Sequence, residues 1–271
     1  MFSMVGIFTV LALRGGTNVL TLVMLRSLGT LAIFAVYFRA AGIAVALGPR
    51  ERRIALALGI PVCISTYCIN AAIAEIPVPL VVLLFYLWPG IVTIVSWIRR
   101  SERFRWGGAT GLALAFVGIA LALNVDLAMA QQKGVLLALA SGFAWASVFL
   151  LMDHFFRGRD TRPVTWHMSL VVAAVFVVIT LVSGAFLLPS LPVGWTGVAG
   201  VTLFYALGTI LVFAASAQVG PSRVGFYMNF EPISTVTLAA LILDQKLAPV
   251  QLAGAALIVL ALFLFRPPRF R

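Results

Sequence analysis

The stretch Leu83-Leu84-Phe85-Tyr86-Leu87-Trp88-Pro89-Gly90-Ile91-Val92-Thr93 sets a proline and two amphipathic aromatics inside an apolar run that extends from Ile76 to Ile98. A run of that length and polarity crosses a bilayer as a helix. Pro89 therefore breaks or kinks that helix at membrane depth. Backbone left unpaired there is tolerated only where protein or a water-filled cavity satisfies it. The second half of the chain repeats the device once, at Phe226-Tyr227-Met228-Asn229-Phe230-Glu231-Pro232, with a carboxylate beside the proline. Broken helices at corresponding places in two halves point to a binding site of the kind that secondary transporters carry.

The composition leaves no room for a soluble domain. Hydrophobic residues make up 62% of the chain and charged residues 10%, against roughly 25% charged in soluble proteins, and the mean hydropathy is +1.11. The class is an all-α integral membrane protein. A formal charge of +11 would suggest nucleic acid in a soluble protein. Here nearly every Lys and Arg lies between apolar segments, so the charge reports topology and no nucleic-acid partner is expected. Cys63 and Cys68 both fall inside an apolar segment and read as packing residues.

Apolar runs of about 18 residues or more occupy 17–38, 54–74, 76–98, 106–124, 133–152, 163–187, 195–217, 221–243 and 248–265. They are preceded by Met1 to Leu13, apolar but about 20 Å long as a helix, short of a hydrocarbon core of about 30 Å. We expect a truncated first transmembrane helix, with the true start upstream of Met1. Orientation follows from the cations. With a cytoplasmic N-terminus, one side collects Arg39, Arg50, Arg52, Arg53, Arg99, Arg100, Arg103, Arg105, Arg157, Arg159, Arg162, Arg223, Arg266, Arg269 and Arg271. The other side has Arg14, Lys133 and Lys246, and Arg26 stays inside a helix. That bias predicts both termini in the cytoplasm and an even number of spans, ten with the short first one. Trp97, Trp106, Trp166 and Trp195 stand at segment ends, where an interfacial belt would hold them; Trp88 and Trp145 lie mid-span.

A shift of 143 residues superimposes Pro89 on Pro232, Gly111 on Gly254, Ala71-Ala72 on Ala214-Ala215, Ala74 on Ala217 and Arg14-Gly15 on Arg157-Gly158. Such a register marks a duplication. Residues 1–124 form a first repeat of helices 1–5 and residues 133–266 a second of helices 6–10. Five helices per repeat make the second copy enter the membrane from the opposite side, so the repeats are inverted.

These features resemble the EamA-type transporters of the drug/metabolite transporter superfamily. The resemblance is carried by Leu25-Arg26-Ser27, Phe85-Tyr86-Leu87-Trp88-Pro89, Phe143-Ala144-Trp145-Ala146, Gly220-Pro221-Ser222-Arg223, Phe230-Glu231-Pro232 and Gln251-Leu252-Ala253-Gly254. It spans essentially the whole chain. The family's acidic turn before the last helix of each half is kept as Glu102-Arg103-Phe104 but replaced by Asp244-Gln245-Lys246-Leu247. Phe2-Ser3 stand where the family usually has Trp and a small residue. The resemblance implies transport of small metabolites, usually export, across the inner (plasma) membrane of a bacterial-type cell. Within the family, Tyr86-Leu87-Trp88-Pro89 is similar to the corresponding run of the bacterial aromatic amino acid exporters, which implies amino acids as the foremost substrate.

Two ionisable side chains lie deep in the spans, Arg26 and Glu231, and each needs a partner or water. Glu231 either exchanges a proton, binds a substrate ammonium, or caps backbone freed by Pro232. Arg26 either tunes Glu231, holds a carboxylate, or forms a static pair with it. Substrate-binding candidates are the mid-span amphipathic groups Tyr67, Asn70, Tyr86, Trp88, Ser141, Trp145, Tyr205, Tyr227 and Asn229. Tyr and Trp offer an apolar body with one polar tip, which suits a mostly apolar pocket; helix packing is the alternative for each. Pro89 and Pro232 supply the helix breaks. His167 is either an interfacial residue or a pH sensor. Gly107-x-x-x-Gly111 permits close helix approach and could serve a homodimer.

No His-Glu-x-x-His, paired-Asp or P-loop pattern occurs, so neither enzyme chemistry nor a cofactor or metal is expected. The leading reading is a secondary transporter working by alternating access, with bilayer and small solute as partners and, where transport is coupled, a proton. The alternatives are another substrate class (a sugar, a nucleobase or a drug-like amine) or a receptor, channel or accessory subunit, which would call for pore rings or an output domain.

Overall fold

The computed structural model describes residues 2–73, 75–76, 78–99, 106–122, 131–243 and 248–264. Among them every regular element is an α-helix. The helices are α1 (Phe2–Arg14), α2 (Val19–Ala40), α3 (Pro49–Ile73), α4 (Val78–Phe85), α5 (Trp88–Ile98), α6 (Trp106–Ala122), α7 (Gln132–Phe156), α8 (Arg162–Val182), α9 (Pro192–Val219), α10 (Pro221–Met228), α11 (Phe230–Leu243) and α12 (Pro249–Leu264). Among the described residues six stretches are long and apolar enough to cross a membrane: Val19–Ala40, Pro49–Ala72, Leu80–Ile98, Gln132–Phe156, Arg162–Val182 and Pro192–Val219. Phe2–Arg14, Trp106–Ala122 and Pro249–Ala261 are shorter apolar helices. Ala74, the charged turns at 100–105 and 244–247, and the arginines at 266, 269 and 271 lie outside the described residues.

The two prolines act where their chemistry requires. α4 ends at Phe85 and α10 at Met228, in each case the residue four before a proline. That residue's carbonyl finds no N–H at Pro89 or Pro232, and the ring crowds it. The chain passes through Tyr86-Leu87 in one case and Asn229 in the other before helix resumes. Tighter bonds take over locally: the Leu87 N–H donates to the Leu84 carbonyl at 3.3 Å and the Asn229 N–H to Phe226 at 3.1 Å.

The 143-residue register extends to the element ends. It carries the limits of α4 onto those of α10, the start of α2 onto that of α8, the start of α3 onto that of α9, and the start of α6 onto that of α12. α1 is the exception, with 13 residues against 25 in α7. The seventh span is shorter than its apolar run suggests. α8 stops at Val182 because Gly184 adopts φ 64°, a left-handed conformation that ends helices and suits glycine. The Ser183 and Gly184 N–H groups close on Ile179 and Leu181.

The chain forms two compact units, and each draws on both halves of the sequence. One comprises Met1–Cys63 and Phe156–Gln218. In it α1 lies against α9 through glycines: a Cβ on Gly197 would run into the Ala12 backbone, and one on Gly200 into the Phe8 ring, which is stacked on Phe204 at 5.5 Å. The segment after α8 is tied to the start of α2. Thr17 Oγ1 donates to the Leu187 carbonyl at 2.7 Å, Asn18 Nδ2 to Ala185, and Thr21 Oγ1 accepts from the Leu187 N–H at 2.9 Å. Arg159 pairs with Glu51, and Arg162 with Asp160 at 2.8 Å. The hydrogen bond from Arg162 holds the Asp160 carboxyl below the usual carboxylate range. His167 is buried, with Nδ1 2.8 Å from the Pro163 carbonyl.

The other unit comprises Ile64–Phe155 and Val219–Arg271. Its closest packing joins α6 to α12. A Cβ on Gly254 would strike the Ala122 backbone and lie 2.6 Å from the Gly118 carbonyl; one on Gly118 would lie 2.9 Å from the Gly254 carbonyl. Gly111 faces the Ala261 carbonyl and the Phe226 ring, so this end of the Gly107-x-x-x-Gly111 pattern is used within the chain. Lys133 pairs with Glu75 at 2.5 Å. Lipid tails give helices little hydrophobic reason to associate, so approach between small residues carries the packing. Gly254→Val forces backbones apart and is expected to destabilise the fold by about 1–3 kcal/mol. Ala256→Val, on an exposed position of the same helix, should stay within about 0.5 kcal/mol. Thermal unfolding of detergent-purified protein, followed by circular dichroism, checks the pair.

Candidate functional site

In the second unit the two helix breaks carry polar groups at the same register position. Tyr86, at the α4–α5 break, is 7% exposed, and its hydroxyl is in electrostatic contact with the carboxylate of Glu231. Glu231 opens α11 and is partly buried. Asn229, the single residue between α10 and α11, is 2% exposed, and its Nδ2 has no hydrogen-bond partner. A buried amide donor left unpaired costs about 1–3 kcal/mol, so Asn229 stands out against its surroundings. Pro89 and Pro232 are both buried.

The break also resolves a conflict in the α4–α5 sequence. Tyr86 and Trp88 are two apart, so a straight helix would point them different ways. With the helix broken, Tyr86 meets Glu231 and Trp88 packs into a separate aromatic cluster. The Trp88 indole is 1% exposed and stacks on Phe149 at 4.6 Å, while Trp145 meets the same ring edge-on at 5.9 Å. Gly225 on α10 makes space for it; a Cβ there would lie 3.0 Å from the indole and 3.3 Å from Pro89. Phe149 and Gly225 did not stand out in the sequence. Phe149 lies one helical turn beyond Trp145, a spacing that could have flagged it; Gly225 carries no such signal.

The remaining candidates in this unit divide. Ser141 is fully buried and bonded to Ser65, hydroxyl to hydroxyl at 3.0 Å and to the Ser65 carbonyl at 2.9 Å. Asn70 Nδ2 turns back to the Thr66 carbonyl at 2.7 Å. Tyr67 and Tyr227 are about half exposed, at 54% and 49%. Among the described residues, no group of three His, Cys, Asp or Glu side chains is placed to hold a metal ion.

Arg26 and Tyr205 belong to the first unit and Glu231 to the second. The Arg26 guanidinium carbon lies 4.1 Å from the centre of the Tyr205 ring. Its Nε is buried without a hydrogen-bond partner. A cation–π contact is worth about 0.5–2 kcal/mol, whereas an arginine at membrane depth costs about 2.5–3.5 kcal/mol on the lowest scales. The ring alone leaves part of the charge uncompensated. Thr30, one turn along α2, is 1% exposed with an unpartnered hydroxyl. Its spacing from Arg26 was the only signal of it in the sequence.

The sequence profile of the EamA-like transporter family matches residues 1–124 and again residues 132–266. None of the curated proteins matches. Among solved structures 29 chains match. One, described as "Crystal structure of protein", superposes with a TM-score of 0.80 at 18% identity, covering 97% of this chain and 93% of its own; at that identity the likeness is one of fold. Two matched repeats, an all-helical build and apolar spans agree, and the chain belongs to the EamA-like transporter family of the drug/metabolite transporter superfamily.

Proposed function

We propose that the chain crosses the inner membrane ten times as two inverted repeats, with both termini cytoplasmic, and exports small amphipathic metabolites, amino acids foremost. The observation that carries this reading is the contact of the Tyr86 hydroxyl with the Glu231 carboxylate, which links the break in α4–α5 to the start of α11. Broken helices serve transporters by presenting polar groups at depth while rigid halves rock around them. A carboxylate held by a tyrosine hydroxyl can also accept a proton or a substrate ammonium. Protonation removes the negative charge that faces the Tyr86 hydroxyl, and an ammonium competes with the hydroxyl for it; a hydrogen bond to a neutral group is weaker than one to an ion by roughly half. Occupancy of Glu231 thus loosens the tie between the broken elements. Trp145, partly buried against the Trp88–Phe149 stack, offers apolar surface of the kind that accommodates amino acid side chains.

Counterflow in proteoliposomes loaded with labelled aromatic and branched amino acids, purines and sugars, with and without an imposed pH gradient, tests the function. The expected result is amino acid counterflow that the gradient accelerates, and Glu231→Gln should abolish the acceleration. Counterflow confined to purines or sugars sinks the substrate assignment, and gradient-independent flux leaves Glu231 without a coupling role. Tyr86→Phe keeps the ring and deletes the donor. Its maximal rate should fall about tenfold, equivalent to about 1.4 kcal/mol, while folding, read from thermal unfolding, changes far less than in Trp88→Ala, which should lose about 3–5 kcal/mol.

A further inference from the structure

Buried hydroxyls in the apolar helices mostly satisfy themselves on the carbonyl one turn back. Ser27 bonds to Val23 at 2.7 Å, Thr93 to Pro89 at 2.8 Å, Thr165 to Thr161 at 2.9 Å, Thr202 to Val198 at 2.7 Å and Thr209 to Tyr205 at 2.7 Å. Thr30 does not. It is fully buried, and its Oγ1 lacks any partner. Four residues earlier on the same face of α2 is Arg26, whose buried Nε also lacks a partner and whose guanidinium rests on the Tyr205 ring. Two neighbouring donors, one of them permanently charged, are thus left open. Within this unit the sequence provides two carboxylates, Glu51 and Asp160, and each is already taken by an arginine.

We propose that Arg26 and Thr30, backed by the Tyr205 ring, form a subsite for the carboxylate of a transported solute. The guanidinium fork matches a carboxylate in plane and spacing, and the threonine hydroxyl adds a third donor. The proposal rests on the transporter reading for its physiological sense, but it concerns binding and is tested by binding.

The test uses the full chain in detergent and measures the rise in thermal midpoint caused by 3-phenylpropionate, its uncharged relative 3-phenylpropanol, and glycerol phosphate. A ligand held by the native state raises the midpoint in proportion to its affinity. The carboxylate is expected to raise it and the alcohol to do so far less. Arg26→Met should weaken carboxylate binding at least tenfold, by roughly the loss of one charged hydrogen-bonded pair. Thr30→Val should weaken it about threefold, and Arg26→Lys should bind between wild type and Arg26→Met because it keeps charge without the fork. In the absence of ligand, Arg26→Met should unfold no earlier than wild type, since it deletes an uncompensated charge. Equal shifts from carboxylate and alcohol, an undiminished shift in Arg26→Met, or no carboxylate shift up to about 10 mM, an affinity already too weak for a built subsite, would overturn the proposal. A larger shift from glycerol phosphate would reassign the donors to phosphate. If Arg26→Met unfolds early and Glu231→Gln restores it, Arg26 is a structural partner of that carboxylate and the subsite falls. Because no flux is read, a failed counterflow assay leaves this result standing, and the converse holds.

Discussion

A backbone carbonyl without an N–H partner in an apolar surrounding is the constraint on which the second unit is built. Pro89 and Pro232 create that situation at Phe85 and Met228, and a transmembrane element tolerates it only where neighbouring protein or water answers it. The fold responds with close approach. Gly142 of α7 abuts the break so tightly that a Cβ there would lie 3.1 Å from the Phe85 carbonyl. Gly225 of α10 does the same beside Trp88 and Pro89. The α4–α5 break thus sends Trp88 into the aromatic cluster and Tyr86 toward the Glu231 carboxylate, a division that follows from ending α4 four residues ahead of a proline.

The same economy explains why each compact unit takes helices from both halves. α2 and α8 correspond under the 143-residue register and fall in the first unit; α4–α5, α6, α10 and α11–α12 correspond in pairs and fall in the second. A duplicated chain has matched surfaces by construction, and in lipid the surfaces that matter are those smooth enough for backbones to approach. Gly118 and Gly254 interlock across α6 and α12. Packing by absence of side chain is specific because any Cβ on either partner is felt by both.

Much of this was legible beforehand. Apolarity and the proline spacing placed a short first helix and both breaks; of the nine full-length spans they predict, six are long and apolar enough to cross a membrane among the described residues, and Trp106–Ala122 and Pro249–Ala261 are shorter. What stayed hidden was of two kinds. The end of α8 at Val182 depends on Gly184 and on hydrogen bonds from Thr17, Asn18 and Thr21, side chains more than 160 residues away, and an apolar run through Leu187 cannot report them. The partnering of polar residues was hidden for a related reason. Ser141 and Asn229 look alike in sequence, each a mid-span polar residue, yet Ser141 closes on Ser65 while the Asn229 amide stays open. Periodicity tells where a side chain sits along a helix; it does not tell whether a neighbour from another helix completes it.

That difference is the most informative property of a polar residue in a membrane protein. A hydroxyl turned back on its own helix, as Thr202 and Thr209 are, is inert with respect to solutes, because its hydrogen-bonding demand is already met. A group whose demand is unmet raises the energy of the unliganded protein by about 1–3 kcal/mol, more if charged. Such a penalty persists only where another state of the molecule removes it. Among the described residues the orphaned buried side-chain atoms are those of Arg26, Thr30, Thr161 and Asn229. Thr161 precedes the first turn of α8, close to the charged Asp160–Arg162 pair. The other three lie on α2 or at the break between α10 and α11. Two of them share one face of α2, and the third occupies the break in α10–α11. A ligand that completes any one of these groups gains the energy that its isolation stores, and that gain is available only while it is bound.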